Sequence, residues 1–415
     1  MNKRTVNNVN RRGWRRALPL GAIALAAGLA LVVSACGSSD SGGSSGDKIV
    51  IGASLPLSGD LAGFGNQVKW GYEHAVEQVN SQGGIEVDGE KKQVELEILD
   101  DKTDPNTTSS NTDRLISQDG VAAMLGSCTP VLVNAGAVVA DRNRIPLVTG
   151  CDPLEAFKSV KDWEYAWDIF FHEPDLASAP FKTLEETGTQ TNKQVAILHD
   201  NGPDGQVVGG QLWPEIAGQS GYEVVLRQEF PVASTTFSST VTQAKNSGAD
   251  VVLVDAVTPQ AISIRKEMAA QGFTPKVLVM EKGGEPVQFA QALGKLADGV
   301  LVGGYWDPSF DFPGASELRT QYEQETGETY SQHIADSNAV ATVLLDAIKR
   351  AGNTDSEKIN DAIESTDLET VVGPIKFDAD HTAKLPIVEL QWQGGETKIV
   401  WPTDQATGEF LFPVP

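Results

Sequence analysis

Two short runs of small polar residues are the first candidates for chemistry. Gly126-Ser127-Cys128-Thr129 closes the apolar stretch that begins at Val121, and Thr149-Gly150-Cys151 closes the stretch Ile145–Val148. Hydroxyls and backbone N–H groups at such tips bind carboxylates, above all where a helix starts beside them, because its first turn leaves N–H groups unpaired. Acids occupy comparable places: Glu173 and Glu281 each follow an apolar run, and two carboxylates on facing surfaces suit one ammonium group. Small residues after a strand are also ordinary turn chemistry, and an acid there also caps helices, so these residues alone leave both readings open. Aromatic residues at similar positions, Phe64 and Gly65 in the Gly-Phe-Gly run, Trp167, Phe171, Tyr305 and Trp306, serve either a ligand or a core.

Catalytic machinery is poorly represented. The five histidines show no metal-ligand spacing, and neither a G-x-S-x-G elbow, a phosphate-binding Walker loop nor a G-x-G-x-x-G fingerprint occurs. Asp100-Asp101 is an adjacent carboxylate pair at the end of a strand, but neighbouring strand residues point to opposite faces. The composition therefore favours a binding protein over an enzyme, with no cofactor and no metal.

The elements that must position these tips alternate regularly. Ile49–Leu57 reads as a strand, Asn66–Asn80 as a helix with Val68, Tyr72, Ala75, Val76 and Val79 on one face, and Val94–Leu99 and Thr107–Gln118 repeat the pair. Val121–Pro153 continues as strand, helix, strand. A right-handed crossover makes the two strands parallel and brings both polar tips to one sheet edge, where open α/β sheets bind ligands. A second set of the same kind starts at Val195 and closes with Val300–Tyr305. Two sets of this length predict two doubly wound, Rossmann-like α/β lobes with mainly parallel sheets rather than one very wide sheet. A change to short β-segments between Val371 and Trp401 predicts a return of the chain, placing the first lobe in residues 48–170 and 306–376 and the second in residues 171–305 and 377–415, with crossings near Phe171, Trp306 and Phe377.

The chain has 415 residues, with 32 basic against 56 acidic side chains. Residues 1–16 hold six of those basic residues and no acid, and Ala17–Val33 is apolar, the pattern of an export signal. Val33-Ser34-Ala35-Cys36 has the form of a lipoprotein processing site, which predicts a signal over residues 1–35, lipid on Cys36 and anchoring outside the cytoplasm at a bacterial cell membrane. A Gly/Ser-rich tether then spans residues 36–47. The acidic excess argues against nucleic acid as a partner and suits solubility at a cell surface.

Several motifs in order, IGASLPLSGDLAGFGNQVKWGYEHAVEQVNSQGGI, LDDKTDPNTT, LGSCTP, RIPLVTG, VAILHDN and VVGPIKFDADHTA, give the chain a specific resemblance to the branched-chain amino-acid-binding (leucine/isoleucine/valine-binding-like) family of ABC transporter substrate-binding proteins with the type I periplasmic-binding fold. It implies two lobes joined by a three-segment hinge, a ligand clamped between them, delivery to a membrane permease, a monomer, and no catalysis. Residue by residue, it puts Phe64 over the cleft, Ser127, Cys128, Thr129, Thr149 and Gly150 in carboxylate-binding loops, and Glu173 and Glu281 on the ligand ammonium. Asp204 and Val257 replace aromatic residues common in the family, so the side-chain pocket differs from one that fits leucine, and Trp306 with Tyr305 is expected to fill part of it. An amino acid or related amine-bearing carboxylate is the expected ligand, with an aromatic acid or amide, or a sensing role without transport, as alternatives. The resemblance also bears on the cysteines. Relatives often bridge the equivalent of Cys128 to a residue whose place Thr103 takes here, so Cys151 is the expected partner, against two free thiols.

Overall fold

Ile49, Ile51, Ala53 and Leu55 are all buried, although alternate residues of a strand face opposite sides of a sheet. A strand apolar on both faces must lie between two layers of helix, which is the place of parallel strands joined by helical crossovers. The structure, a computed structural model, describes residues 48–415, and the expected leader, tether and lipidated Cys36 lie outside the described residues. No described helix is long and apolar enough to cross a membrane.

Sixteen strands are described. The first six are β1 (Lys48–Leu55), β2 (Ile85–Val87), β3 (Glu90–Asp100), β4 (Ala123–Leu125), β5 (Leu147–Thr149) and β6 (Ala166–Phe170). The next five are β7 (Gln194–Asp200), β8 (Glu223–Phe230), β9 (Val251–Ala256), β10 (Val277–Lys282) and β11 (Leu301–Gly304). The last five are β12 (Leu368–Thr370), β13 (Gly373–Ile375), β14 (Thr382–Lys384), β15 (Val388–Gln393) and β16 (Glu396–Trp401). Two sheets of seven strands result, ordered β14-β6-β5-β4-β1-β3-β2 and β16-β15-β11-β10-β9-β7-β8, and β12 with β13 makes a separate ribbon. Both sheets are mainly parallel. Antiparallel pairing is confined to β2 with β3 in the first and to β15 with its neighbours in the second.

The long helix His333–Ala351 is buried along most of its length and packs the first sheet together with Ala62–Ser81, while Trp213 and Trp392 fill opposite faces of the second. Chain crossings follow β6, β11 and β14. The third therefore falls after Lys384 and not near Phe377, because Thr382, Ala383 and Lys384 pair in parallel register with Asp168, Ile169 and Phe170. Phe377 stays with the first lobe, its ring 5.1 Å from that of Trp167. Tyr305 joins Trp306 in the first-lobe core, one residue earlier than the expected boundary.

β4 and β5 are adjacent and parallel, so the turns that leave them start side by side. Cys128 and Cys151 in those turns have Cα atoms 4.9 Å apart and are bonded to each other. The Thr129 N–H donates to the Cys151 carbonyl at 3.0 Å and ties the same two turns. Non-reducing peptide mapping should recover both cysteines in one linked peptide, and alkylation of both thiols would exclude the bridge. Removing it by paired alanine substitution should cost about 3 kcal/mol of stability toward denaturant, the scale for a loop of this length.

Candidate functional site

Parallel strands deliver their carboxyl ends to one edge, and the two sheets turn those edges toward each other. Between them lies a cleft of about 610 Å³. The first lobe lines it with Phe64, Thr129, Pro130, Cys151, Pro153, Phe170, Tyr305, Gln332 and His333, and the second with Leu176, Asp204, Val208, Asp255, Glu281, Lys282 and Gly303. An outer chamber of about 680 Å³ continues from it past Thr129, Pro130, Asp204 and Lys282, and adds Asp60, Thr103 and Val257 to the lining.

Thr129 stands at the start of helix Pro130–Arg142 with φ +72°. Its carbonyl accepts the N–H groups of Leu132 and Val133, leaving the Val131 N–H and the Thr129 hydroxyl at the mouth of the helix. An anion at this end of the helix would meet both donors. The neighbours of Thr129 face inward. Ser127 Oγ donates to buried Asp101 at 3.0 Å, and Thr149 Oγ1 donates to the Gly150 carbonyl at 2.9 Å. Gly126 is required there, because a Cβ would come within 1.9 Å of Thr149 Oγ1. Cys128 is fully enclosed behind Cys151, and Gly65 lets its helix approach the Pro56 carbonyl. Ser127, Cys128, Thr149, Gly150 and Gly65 thus shape the wall and do not line the cavity.

Trp306 does not enter the cleft. Its indole N–H donates to the Val371 carbonyl at 2.7 Å and its ring meets Tyr330 edge-on, both in the first-lobe interior. Tyr305, one residue earlier, lines the cavity and donates its hydroxyl to Asp336 at 2.8 Å. Phe64 lies over the cleft with its ring 5.2 Å from that of His333. Glu173 begins helix Glu173–Glu186, is wholly buried, and has no partner among the described residues for either carboxylate oxygen. Burial and then the neighbouring carboxylates Glu155, Asp204, Asp152 and Asp255 push it up to about 9. It sits behind the lining rather than in it.

Glu281 is placed by register. It pairs with Asp255 on β9, so the two side chains leave the same face of the sheet. Glu281 reaches across β11 and accepts the Gly303 N–H on both oxygens at 3.1 Å. A Cβ on Gly303 would stand 2.8 Å from Glu281 Oε2 and 2.1 Å from Leu176, so this glycine makes the room. Burial pushes Glu281 up to about 8, with Asp255 and Glu285 adding to it.

Two cations share the cavity. Lys282 holds a left-handed φ of +59° that turns its side chain into the cleft, where Nζ meets Asp200, Asp204 and Asp255 at 2.8, 2.7 and 3.0 Å. Burial opposes its charge, but Asp204, Asp255 and Asp200 hold it well above the usual lysine range. Burial lifts Asp255 to about 7 in spite of Lys282. His333 lies between Glu285 at 2.7 Å and Asp336 at 3.1 Å, and these carboxylates outweigh burial to push it up to about 10. With both ring nitrogens donating and the two sulfurs bonded together, the nearby trio Cys128, Cys151 and His333 offers a metal no free ligand set.

Of the expected contacts, the structure brings Phe64, Thr129, Asp204 and Glu281 together around one cavity. Lys282, Asp255, Asp200, Glu285 and His333 escaped sequence reasoning. Three had a readable signal: Asp200 and Lys282 end parallel strands of the second lobe, and Asp255, like Glu281, stands one residue before the end. Glu285 and His333 are joined only by the meeting of the lobes, and nothing local marks them.

Residues 48–396 match the family model described as periplasmic binding protein. The chain is 27% identical over 387 residues to Leu/Ile/Val-binding protein homolog 7 of Brucella abortus, covering 88% of this chain and 94% of that protein. Its structure superposes on the leucine binding protein of Thermotoga maritima with a TM-score of 0.76 at 22% identity, covering 86% of this chain and 99% of that one. It also superposes on a Rhodopseudomonas palustris ABC-transporter solute binding protein in complex with 3,4-dihydroxybenzoic acid, with a TM-score of 0.72 at 18% identity over 85% of this chain and 95% of the other.

The shifted groups imply a pH dependence. Asp255, Glu281 and Glu173 hold protons in the folded state, up to about 7, 8 and 9, that an unfolded chain releases near ordinary carboxyl values. A raised carboxyl makes the folded state lose stability as pH climbs from the ordinary value to the raised one. His333, raised from 6.5 to about 10, acts in the same sense, since its ion-pair stabilisation fades as pH climbs through that interval. The ligand-free protein should therefore melt at a higher temperature at about pH 5.5 than at about pH 9, and Glu281→Gln should flatten the difference. Thermal melts that rise with pH over this range would contradict the assignment.

Proposed function

The chain belongs to the periplasmic binding protein family, and on that premise we propose that it is the extracytoplasmic receptor of an ABC importer for an amino acid or a related amine-bearing small carboxylate. It is a solute-binding protein of the ABC-transporter type and not an enzyme. The observation that carries the ligand class is Glu281, a buried carboxylate at the floor of the cleft whose only direct partner among the described residues is one backbone N–H. Opposite it, the first lobe offers the Thr129 hydroxyl and the free N–H of a helix start. A zwitterion held between them places its ammonium on Glu281 and its carboxylate on Thr129. The relatives named for leucine, isoleucine and valine support this reading.

Neither half-site is complete alone. Ligand touches both lobes only when they close, so its differential affinity shifts the population toward the closed form, which a permease reads. Closure also removes water, and charge-assisted bonds are stronger in a dry site. A second reading rests on the rings of Phe64, Phe170, Phe171 and Tyr305 around the same cavity. They would stack on an aromatic acid, as the complex with 3,4-dihydroxybenzoic acid suggests by analogy.

A thermal-shift panel of amino acids and hydroxybenzoates decides between them. A cognate ligand at about 100 times its Kd adds roughly 2.7 kcal/mol of stability. An amine-bearing carboxylate should bind, its des-amino analogue should not, and Glu281→Gln should weaken it by about 30-fold, near 2 kcal/mol, in calorimetry. Binding of a hydroxybenzoate with no amine-bearing compound active would establish the second reading. Lipid anchoring at Cys36 belongs to the same proposal and rests on the processing motif. Cell fractionation should find the wild type in membranes and Cys36→Ala released, and equal retention of the two would remove the anchor.

A further inference from the structure

The cleft holds more acidic side chains than a zwitterion can use. Four carboxylates line the inner chamber, Asp204, Asp255, Glu281 and Glu285, against two cations, Lys282 and His333. Both cations are already engaged, Lys282 by three carboxylates and His333 by two. Two of those five, Asp200 and Asp336, come from outside the lining, so six acids surround two cations.

The acids fall into two stations. Glu281 lies at the floor against Gly303, and Asp204 with Asp255 stands at the neck, where Asp204 faces both chambers. Asp204 gives Lys282 one oxygen, Oδ2. Leu176, Val208 and Phe171 supply apolar wall to the same cavity. A methylene chain fits such a wall, and its two ends then meet separate carboxylate stations. Glu173, buried behind this group without a partner among the described residues, holds its proton up to about 9, because burial and the surrounding carboxylates resist one more negative charge there.

We propose that the ligand is a dibasic amino acid: its α-ammonium on Glu281, its carboxylate on Thr129 and the helix start, and its side-chain cation at the neck on Asp204 and Asp255. This rests on the amine-bearing carboxylate reading given above and adds the second positive charge to it. A neutral aliphatic side chain at the neck would meet three carboxylates sharing one lysine, with nothing to offer them. An aromatic acid would bring a further negative charge to the same place. A side-chain ammonium or guanidinium reduces the local excess and takes the oxygen of Asp204 that Lys282 leaves.

Calorimetry on the full chain with L-ornithine, L-lysine, L-arginine, L-leucine and 3,4-dihydroxybenzoate tests it. At least one dibasic amino acid should bind tenfold or more tightly than leucine, and Asp204→Asn should lower that preference at least tenfold. Asp204→Glu, which keeps the charge, should preserve it, and this ratio does not depend on how well each variant is packed. Leucine binding as tightly as every dibasic compound overturns the inference and leaves the amine-bearing reading standing. Binding of 3,4-dihydroxybenzoate alone overturns both. Failure of all three dibasic compounds to bind, or an equal loss of leucine and lysine affinity in Asp204→Asn, also overturns it.

Discussion

Parallel pairing is the constraint on which the rest depends. Strands that run the same way must be joined by crossovers, and the right-handed sense of those crossovers brings every strand of a sheet to the same edge at its carboxyl end. A turn leaving one strand is therefore never local to that strand. Thr129 and Cys151 belong to different turns, yet the N–H of the first donates to the carbonyl of the second. In the second lobe the pairing of Asp255 with Glu281, and of Gly303 with Glu389, arranges acids in a row across the sheet. Glu389 ends that row fully buried with no partner among the described residues, held up by burial and by Glu281. Side chains so distant in sequence share an electrostatic fate because backbone hydrogen bonds hold them abreast.

The second theme is the tension between burial and charge. Enclosing an ionised carboxylate costs several kcal/mol unless a partner offsets it. Lys282 and His333 offset part of this cost by serving several acids each. Glu281 has only the Gly303 N–H, and Glu173 has no described partner at all. Such groups are poor building material for a core and suitable material for a receptor, whose binding energy comes from completing a site that is incomplete when empty.

Much of this was legible from residue types. Alternation of strand and helix, two sets of comparable length and polar tips after apolar runs led to the two-lobed fold and to Phe64, Thr129 and Glu281 around one cavity, whereas Asp204 was reached only through the family resemblance. Ser127 and Thr149 were candidates for the ligand, but a hydroxyl at a strand tip also ties the tip to its neighbour, and Asp101 and Gly150 take those bonds. Trp306 was a natural candidate for a pocket wall, but residues 305 and 306 turn opposite ways on leaving β11 and only Tyr305 faces the cavity. The third crossing was misplaced because Thr382–Lys384 is too short to show a strand period, and only its partner β6 makes it one. Lys282 was hidden by its backbone, since a left-handed residue at the end of a strand sends its side chain where alternation would not.

The three crossings also set how the molecule can bend. The Leu385 N–H donates to the Phe170 carbonyl and Val388 pairs with Gly304, so the third connection leaves beside the first and arrives beside the second. Three cords clamped side by side yield readily in the direction across their common plane and resist both shear and torsion. Bending across that plane is therefore the motion such a joint opposes least. A ligand need not steer the halves together. In the proposed closure it would supply a torque about an axle whose direction the backbone has already chosen, so that contacts at the neck and at the floor of the cleft would act as levers on the same motion.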